Sequence, residues 1–382
     1  MEAGTIKTTL IDSGTYSLGQ WSLSSADSGE TWRPLNGPGS VVLDGHGSGS
    51  VSASGVSNLT VEGLTFQNMG LSPQGSGGFY LSGSGETIRW NTFLNSQHEV
   101  IYGAALHNSL IDSNTIDGVT GANSGAFDAM QFWFGSSGNT ISHNLIQNVD
   151  GGGIDFDNGA TDPQINNNVI DSNKLVNVNR NTVDSGAIYI MDRTHSSTGN
   201  KITNNVIDGY GSGSMSDQTK GIYLDDGTSN VQITGNLLYG TAGEWGMQFH
   251  GGSNDVVQNN VFALQSGEKL ALYQSVSGGT SMTGNDFQNN IVYYQGQPPD
   301  PLWQVSGSGI TMPRDTTNLY YAANGAQVPN DGSITDSNPF RADPQFTNPG
   351  GGDFSLSASS PAYSDIGWQT LPTNQGPVPF SG

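Results

Sequence analysis

The sequence contains no cysteine, so neither disulfides nor thiolate metal sites enter the reading. Positive charge is scarce: Lys and Arg number 11 against 33 Asp and Glu, a formal net charge of −22. Without a basic stripe to neutralise phosphates, a nucleic-acid partner is not expected. No apolar run is long enough to span a bilayer as a helix, so membrane insertion is not expected either. Helical 3.6-residue periodicity is nowhere sustained. At 34%, hydrophobic residues are few for a globular chain, and glycine, at 55 residues, is abundant. That composition would suit a disordered chain. The apolar residues that remain are regularly spaced and often β-branched, however, which points to an ordered fold with many turns. Met1-Glu2-Ala3-Gly4 reads like a start left after removal of a leader, and the acidic, Lys-poor composition is that of a secreted, extracellular or periplasmic protein.

What is present is a repeat. A polar residue, then Asn, then two residues of which the second is apolar, recurs as Trp90-Asn91-Thr92-Phe93, Ser113-Asn114-Thr115-Ile116 and His143-Asn144-Leu145-Ile146. It continues at Asn168, Asn205, Asn236, Asn260 and Asn290, in steps of 23, 30, 24, 37, 31, 24 and 30 residues from Asn91. Leu64-Thr65-Phe66 fits one repeat earlier without the Asn. Each repeat also carries short period-2 segments, such as Lys201-Ile202-Thr203 and Gly221-Ile222-Tyr223-Leu224, separated by Gly, Ser or Asn. Strands this short, bent by turns every few residues, describe the coils of an all-β, single-stranded, right-handed parallel β-helix of about ten coils. The repeated Asn is expected to stack and hydrogen-bond along the axis. Residues 1–55 should supply an N-terminal cap and first strands, 56–295 the regular coils, and 296–382 a final coil and an irregular tail. Within that tail, residues 341–368 should wrap back along the last coils or close the end.

Aligning the strand that precedes each Asn gathers the chemistry on one face. Period 2 turns Ile154, Phe156, Ile188, Ile190, Ile222, Leu224, Met247 and Phe249 inward. The outward column is then Gln131, Asp155, Tyr189, Tyr223 and Gln248. Beside it run Trp133, Asp157, Met191, Asp225 and His250, with Asp192 and Asp226 at strand ends. Inserts over residues 118–129, 176–185, 209–220 and 240–246 should build one rim, bringing Asp128, Asp184, Asp217 and the Glu244-Trp245 pair. Arg193 and His195 should stand on the other rim. Asp128 and Asp217 read more simply as solvated or turn-forming residues. His46, His98, His107 and His143 fall in no column. Carboxylates one coil apart lie about 4.8 Å apart at the backbone, and one or two such steps span the separations glycosidases use. Crowded carboxylates also raise one another's pKa, as a general acid requires. The rings of Trp133, Tyr189, Tyr223 and Trp245 can stack on sugars or simply cover apolar surface.

The segment Gly221-Ile222-Tyr223-Leu224-Asp225-Asp226-Gly227-Thr228-Ser229-Asn230-Val231 resembles a coil of the pectin-lyase-like superfamily. The opening Gly14-Thr15-Tyr16 and the ending Ala342-Asp343-Pro344-Gln345-Phe346 are similar to its glycoside hydrolase branches, the β-helix xylosidases, xylanases and fucosidases. The resemblance implies a polysaccharide or oligosaccharide partner and hydrolysis by carboxylates on neighbouring coils, matching Asp192, Asp225 and Asp226. Asp157 would modulate their pKa, and Gln131, Asp155, Arg193, His195, Glu244, Gln248, His250 and the aromatic residues Trp133, Tyr189, Tyr223 and Trp245 would hold sugar. No cofactor is required. The same superfamily contains lyases that use a Lys or Arg base with Ca²⁺. Here a lyase or epimerase would draw on Asp155, Asp157, Asp192 and Asp225 for calcium, with only Arg193, Lys201 and Lys220 near the groove. A non-catalytic glycan-binding β-helix is the third expectation.

Overall fold

The computed structural model describes residues 7–72, 77–121, 127–211, 218–240, 243–276, 282–329 and 335–380. The Met1-to-Gly4 start and Asp217 lie outside the described residues. Three short strands make each coil. In one coil they are Thr140–Ser142, Leu145–Val149 and Ile154–Asn158, and the next coil returns with Val169–Asp171. Among the described residues, equivalent strands pair in parallel, giving one sheet of 12 strands and two further faces joined into a sheet of 23. They join because the strand Val41–Ser54 turns a corner and pairs on both faces. Gly49 permits that corner: a Cβ there would lie 2.2 Å from the Leu18 carbonyl oxygen. Within residues 1–55, expected to hold a cap and first strands, Thr8–Ile11, Gly14–Ser17 and Gln20–Leu23 form the first coil.

Apolar residues at equivalent positions stack into continuous rows. On the 12-stranded sheet, Ile88, Ile111, Ile141, Ile170, Ile202, Ile233, Val257 and Phe287 are in register and buried. A second row runs Phe66, Phe93, Ile116, Ile146, Leu175, Ile207, Leu238 and Phe262. Each such side chain contributes about 1.5–3 kcal/mol, so the low apolar content is sufficient because nearly all of it is placed in rows.

The Asn residues do stack, but in two ladders. At one corner Asn91 begins a ladder in which Asn114, Asn144, Asn173, Asn205, Asn236, Asn260, Asn290 and Asn318 each accept, on Oδ1, the backbone N–H and side-chain amide of the previous Asn. Leu64 heads this ladder through its N–H to Asn91. Asn168 is not a rung of it. It belongs to a second ladder with Asn139 and Asn200 at another corner, and Asn173 takes its place. The uneven steps of 24 and 37 on either side of Asn168 thereby become 29 and 32.

Asp255 stands further along this second ladder. Its Oδ1 accepts from Val231 N–H, its own N–H donates to Asn285, and its Oδ2 is buried without a partner. Burial pushes this carboxyl well above the usual range. Because the folded state retains a proton that the unfolded chain releases near pH 4, stability is lost as pH rises from there towards the folded pKa. Asp255→Asn should therefore stabilise the protein at neutral pH by about 1–3 kcal/mol and leave stability below pH ~4 unchanged. Urea unfolding at the two pH values checks this.

The tail goes further than the last coils. After the hairpin Phe346–Asn348/Asp353–Leu356 and the helix Pro361–Asp365, it runs back along the corner of the first ladder. Asn289 donates to the Ile366 carbonyl, and Asn259 exchanges two hydrogen bonds with Gln369. Gly376 N–H donates to Ser172 O. Trp90 donates to Val378 O and packs against Phe380 at 4.9 Å. This strap lies on the corner of the first ladder, away from the face carrying the carboxylates.

Candidate active site

The site lies on strands Met130–Trp133, Ile154–Asn158, Gly186–Asp192, Lys220–Asp225 and Trp245–His250. Gln131, Asp155, Tyr189, Tyr223 and Gln248 are in register, with Tyr80 and Tyr102 continuing the column at one end. Asp157, Met191 and Asp225 are in register in the next column, and Trp133 and His250 occupy its neighbouring strands. Trp133 lies at the edge, tilted against Phe134 at 5.9 Å.

A third column escaped sequence reasoning. Strict alternation sends Lys220 inward with Ile222, yet at the start of each strand two consecutive residues face the core. Ala129 with Met130 and Ala187 with Ile188 are both core pairs. Gly221 does the same, since a Cβ on it would meet the Leu238 side chain. The pleat is thereby re-phased, as at a bulge, and Asp128, Lys220, Trp245 and Lys269 turn outward beside the predicted columns. Lys220 is 1% exposed, ion-paired to Asp184 at 2.7 Å, with its Nζ 4.0 Å from the Tyr223 ring centre and 5.5 Å from that of Trp245. Burial lowers its pKa, partly opposed by Asp184. Asp128, expected to be solvated, is buried and accepts from Gly152 N–H.

Asp225 is the best-connected carboxylate. It accepts from Tyr189 Oη and His250 Nδ1, both at 2.5 Å, and from Asp226 N–H at 2.7 Å. Burial alone would raise its pKa, but His250 and Tyr189 together hold it below the usual range. His250 is raised in return: burial opposes its charge, and Asp225 and then Asp226 outweigh burial. Asp226 pairs with Arg193 at 2.6 Å. Asp157 behaves in the opposite way. Burial first, then the charges of Asp128 and Asp225, push it up to about 7. It accepts from Gln131 Nε2 at 3.2 Å.

Asp192 does not reach this groove. It is 0% exposed, and its oxygens accept from Thr194 N–H and Oγ1, Ser196 N–H, Ser197 N–H and Asn158 Nδ2. These bonds hold it below the usual range despite burial, and they close the turn leading to the next coil. Asp192→Ala should lower stability by about 2–4 kcal/mol through the buried N–H groups it strands, an effect that thermal unfolding measures. His195 packs on that turn against Gly227, where a Cβ would lie 1.7 Å from its Nδ1. Glu244 and Trp245 flank Lys220: the Glu244 charge acts on its ammonium.

The four carboxylates expected to share calcium do not converge, because Asp192 is tied to its turn and Asp155 faces Asp128. Among the described residues, one group is tight enough to hold a metal ion, Asp225, Asp226 and His250, with ligand atoms within 4.8 Å of one another. An imidazole and two carboxylates, one already paired with Arg193, are a poor match for a cation that takes six to eight oxygens.

A protein-family model described as "Right handed beta helix region" matches residues 40–238, just over half of the chain. No curated protein matches the sequence. Among solved structures, the catalytic domain of a GH87 α-1,3-glucanase in complex with tetrasaccharides superposes with a TM-score of 0.55 at 12% identity, covering 88% of this chain and 64% of that one. A mutant of the PL6 family alginate lyase AlyGC gives 0.54 at 16%, covering 97% and 55%. Another PL6 alginate lyase, in complex with a trisaccharide, gives 0.53 at 11%, covering 97% and 89%. The chain thus spans a little over half to just under two thirds of the first two. At these identities the likeness is one of fold. With the parallel coils and the matching family model together, the chain belongs to the right-handed β-helix family.

Proposed function

We propose that the protein is a carbohydrate-active enzyme, a glycoside hydrolase that cleaves a neutral polysaccharide or oligosaccharide with inversion. The observation that carries the reading is the opposite protonation of two carboxyls in one column. Asp157 holds its proton up to about pH 7, while Asp225 stays ionised. Environments that push two titratable groups apart in this way separate an acid from a base. Asp157 would protonate the leaving oxygen, and Asp225, with Asp226 beside it, would take a proton from the attacking water. Met191 separates them by two strand spacings, about 9–10 Å at the backbone, which leaves room for the water that an inverting mechanism needs. Tyr189 and His250 orient Asp225 and keep it charged.

Neutrality of the substrate follows from charge. Arg193 and Lys220 are each spent on a carboxylate, while Asp225 keeps its charge in the groove and the chain carries a formal net charge of −22. A polyuronate would meet a repulsive field. A panel of neutral and anionic polysaccharides, with product analysis and the anomeric form followed by NMR, tests the proposal. The expected result is inverted reducing sugar from a neutral glycan. kcat/KM should fall above pH ~7 as Asp157 loses its proton, and on the acid side only below the ordinary carboxylate range, as Asp225 gains one.

One observation favours a second reading. Lys220, buried with its pKa lowered, has the character of a base that abstracts a proton beside a uronate carboxyl. Ultraviolet-absorbing unsaturated product from a uronate polymer, lost in Lys220→Met, would establish that lyase reading and displace the first. Glycan binding with no turnover on any polymer would displace both.

A further inference from the structure

The proposed acid, Asp157, has two buried carboxyls behind it that the hydrolytic reading leaves without a role. Asp128 and Asp155 are 1% and 5% exposed and within hydrogen-bonding reach of each other. The other oxygen of each is accounted for: Asp128 Oδ1 accepts from Gly152 N–H, and Asp155 Oδ2 from Gln131 Nε2 at 3.5 Å. The remaining two, Asp128 Oδ2 and Asp155 Oδ1, are buried and have no donor from the rest of the protein. Two ionised carboxylates cannot be left facing each other with bare oxygens. A single proton between them satisfies both and leaves the pair with one negative charge. The chain makes room for this arrangement. Gly152 stands against Asp128, and a Cβ on it would come within 2.8 Å of Asp128 Oδ1.

The pair is wired to Asp157. The Gln131 side-chain amide donates to both Asp155 Oδ2 and Asp157 Oδ2, so its geometry fixes the two carboxyls relative to each other. We propose that Asp128 and Asp155 share one proton and act as a positioning pair whose single fixed charge keeps Asp157 protonated for its role as acid. This rests on the hydrolase reading above. Other groups act on Asp157 from neighbouring strands: Asp225 raises it, Arg193 lowers it, and the Tyr189 hydroxyl interacts with it. On the far side, Glu99 interacts with Asp128. Asp225, Arg193 and Tyr189, which act on Asp157 directly, stay in place when the pair is made neutral, whereas Glu99, which Asp128 raises, is relieved with it. Substitution of both Asp128 and Asp155 therefore reads the contribution of the pair to Asp157.

The test is the double variant Asp128→Asn/Asp155→Asn, which removes the pair's charge, set beside each single variant, in which an amide donates to the remaining carboxylate in place of the shared proton and the single charge is kept. In the double variant the pair's charge is gone and Asp157 should ionise at lower pH, whereas the single variants should leave its ionisation in place. The alkaline limb of kcat/KM should move acidward by about one pH unit, a tenfold loss of rate above the limb, whatever the height of the acid plateau. Gly152→Ala, which displaces Asp128 without removing a carboxyl, should move the limb too. A merely structural role would lower the rate evenly across pH, and an unmoved limb in the double variant overturns the proposal. Titration of the Asp157 carboxyl by ¹³C NMR, assigned with Asp157→Asn, reads the same shift in a protein that hydrolyses nothing. The pair can thus fail while the hydrolase reading stands, or survive its loss.

Discussion

Asp225→Asn should lower hydrolysis by about 10²–10⁴-fold, the range over which a positioned acid or base contributes, while the protein stays folded. Asp225 sits where Tyr189, His250 and the Asp226 amide converge. Asn keeps the shape but cannot take a proton from water. Asp157→Asn should cost a similar factor on a natural glycan for a different reason, since it cannot protonate a leaving sugar. The two losses separate on an aryl glycoside whose phenol leaves without a proton. There Asp157→Asn should regain most of its rate and Asp225→Asn none. If both variants keep full activity on a substrate the wild type hydrolyses, these carboxyls are not the catalytic pair. If both recover on the activated substrate, Asp225 is not the base.

The second large effect is on stability, at a residue far from the chemistry. Asn144→Leu should destabilise the protein by about 3–5 kcal/mol, near the upper end for single substitutions. Its Oδ1 accepts the N–H and side-chain amide of Asn114, and its Nδ2 donates to the carbonyls of Ile111 and Ser142 and to Asn173 Oδ1, all at 2.9–3.0 Å and out of solvent. Leucine fills the volume but strands at least two backbone groups, each costing about 1–3 kcal/mol when buried without a partner. The exposed Asn36, which donates only to Ser13, is the control, and Asn36→Ala should stay within about 0.5 kcal/mol of wild type. Denaturant midpoints compare the two. Equal midpoints would mean that the ladder contributes nothing net.

The β-helix and the two carboxylate columns were legible because both follow from period 2 along straight strands. What escaped lies where the chain bends. Asn168 reads as a rung of the first ladder because Val169 and Ile170 follow it, whereas Asn173 is followed by Lys174, whose aliphatic stem passes for polar in a pattern. Lys220 falls near the groove as expected, but the column it forms with Asp128, Trp245 and Lys269 is not legible, because two successive residues at these strand starts face the core, which alternation does not contain. Asp192 offered a usable warning. An Asp followed by Thr194, Ser196 and Ser197 has the composition of a side-chain-closed turn, and in the fold it is one. The protonation of Asp157 depends on Asp128, from the preceding coil, and on Asp225, two coils on. It was foreseeable as crowding but not as an assignment of acid and base.

The C-terminal strap has a consequence for how the molecule comes apart. A stack of coils with only nearest-neighbour contacts behaves as a one-dimensional array that can fray from either end, one rung at a time. Here one segment touches Asn289, Asn259, Ser172 and Trp90 in turn, so coils separated by some two hundred residues of chain are tied by a single thread. The linear array gains a return path, and partial unzipping from the last coil must first peel that thread away. Such a solenoid is closed in the mechanical sense, and the groove on its free face keeps its register because the corner behind it is laced shut.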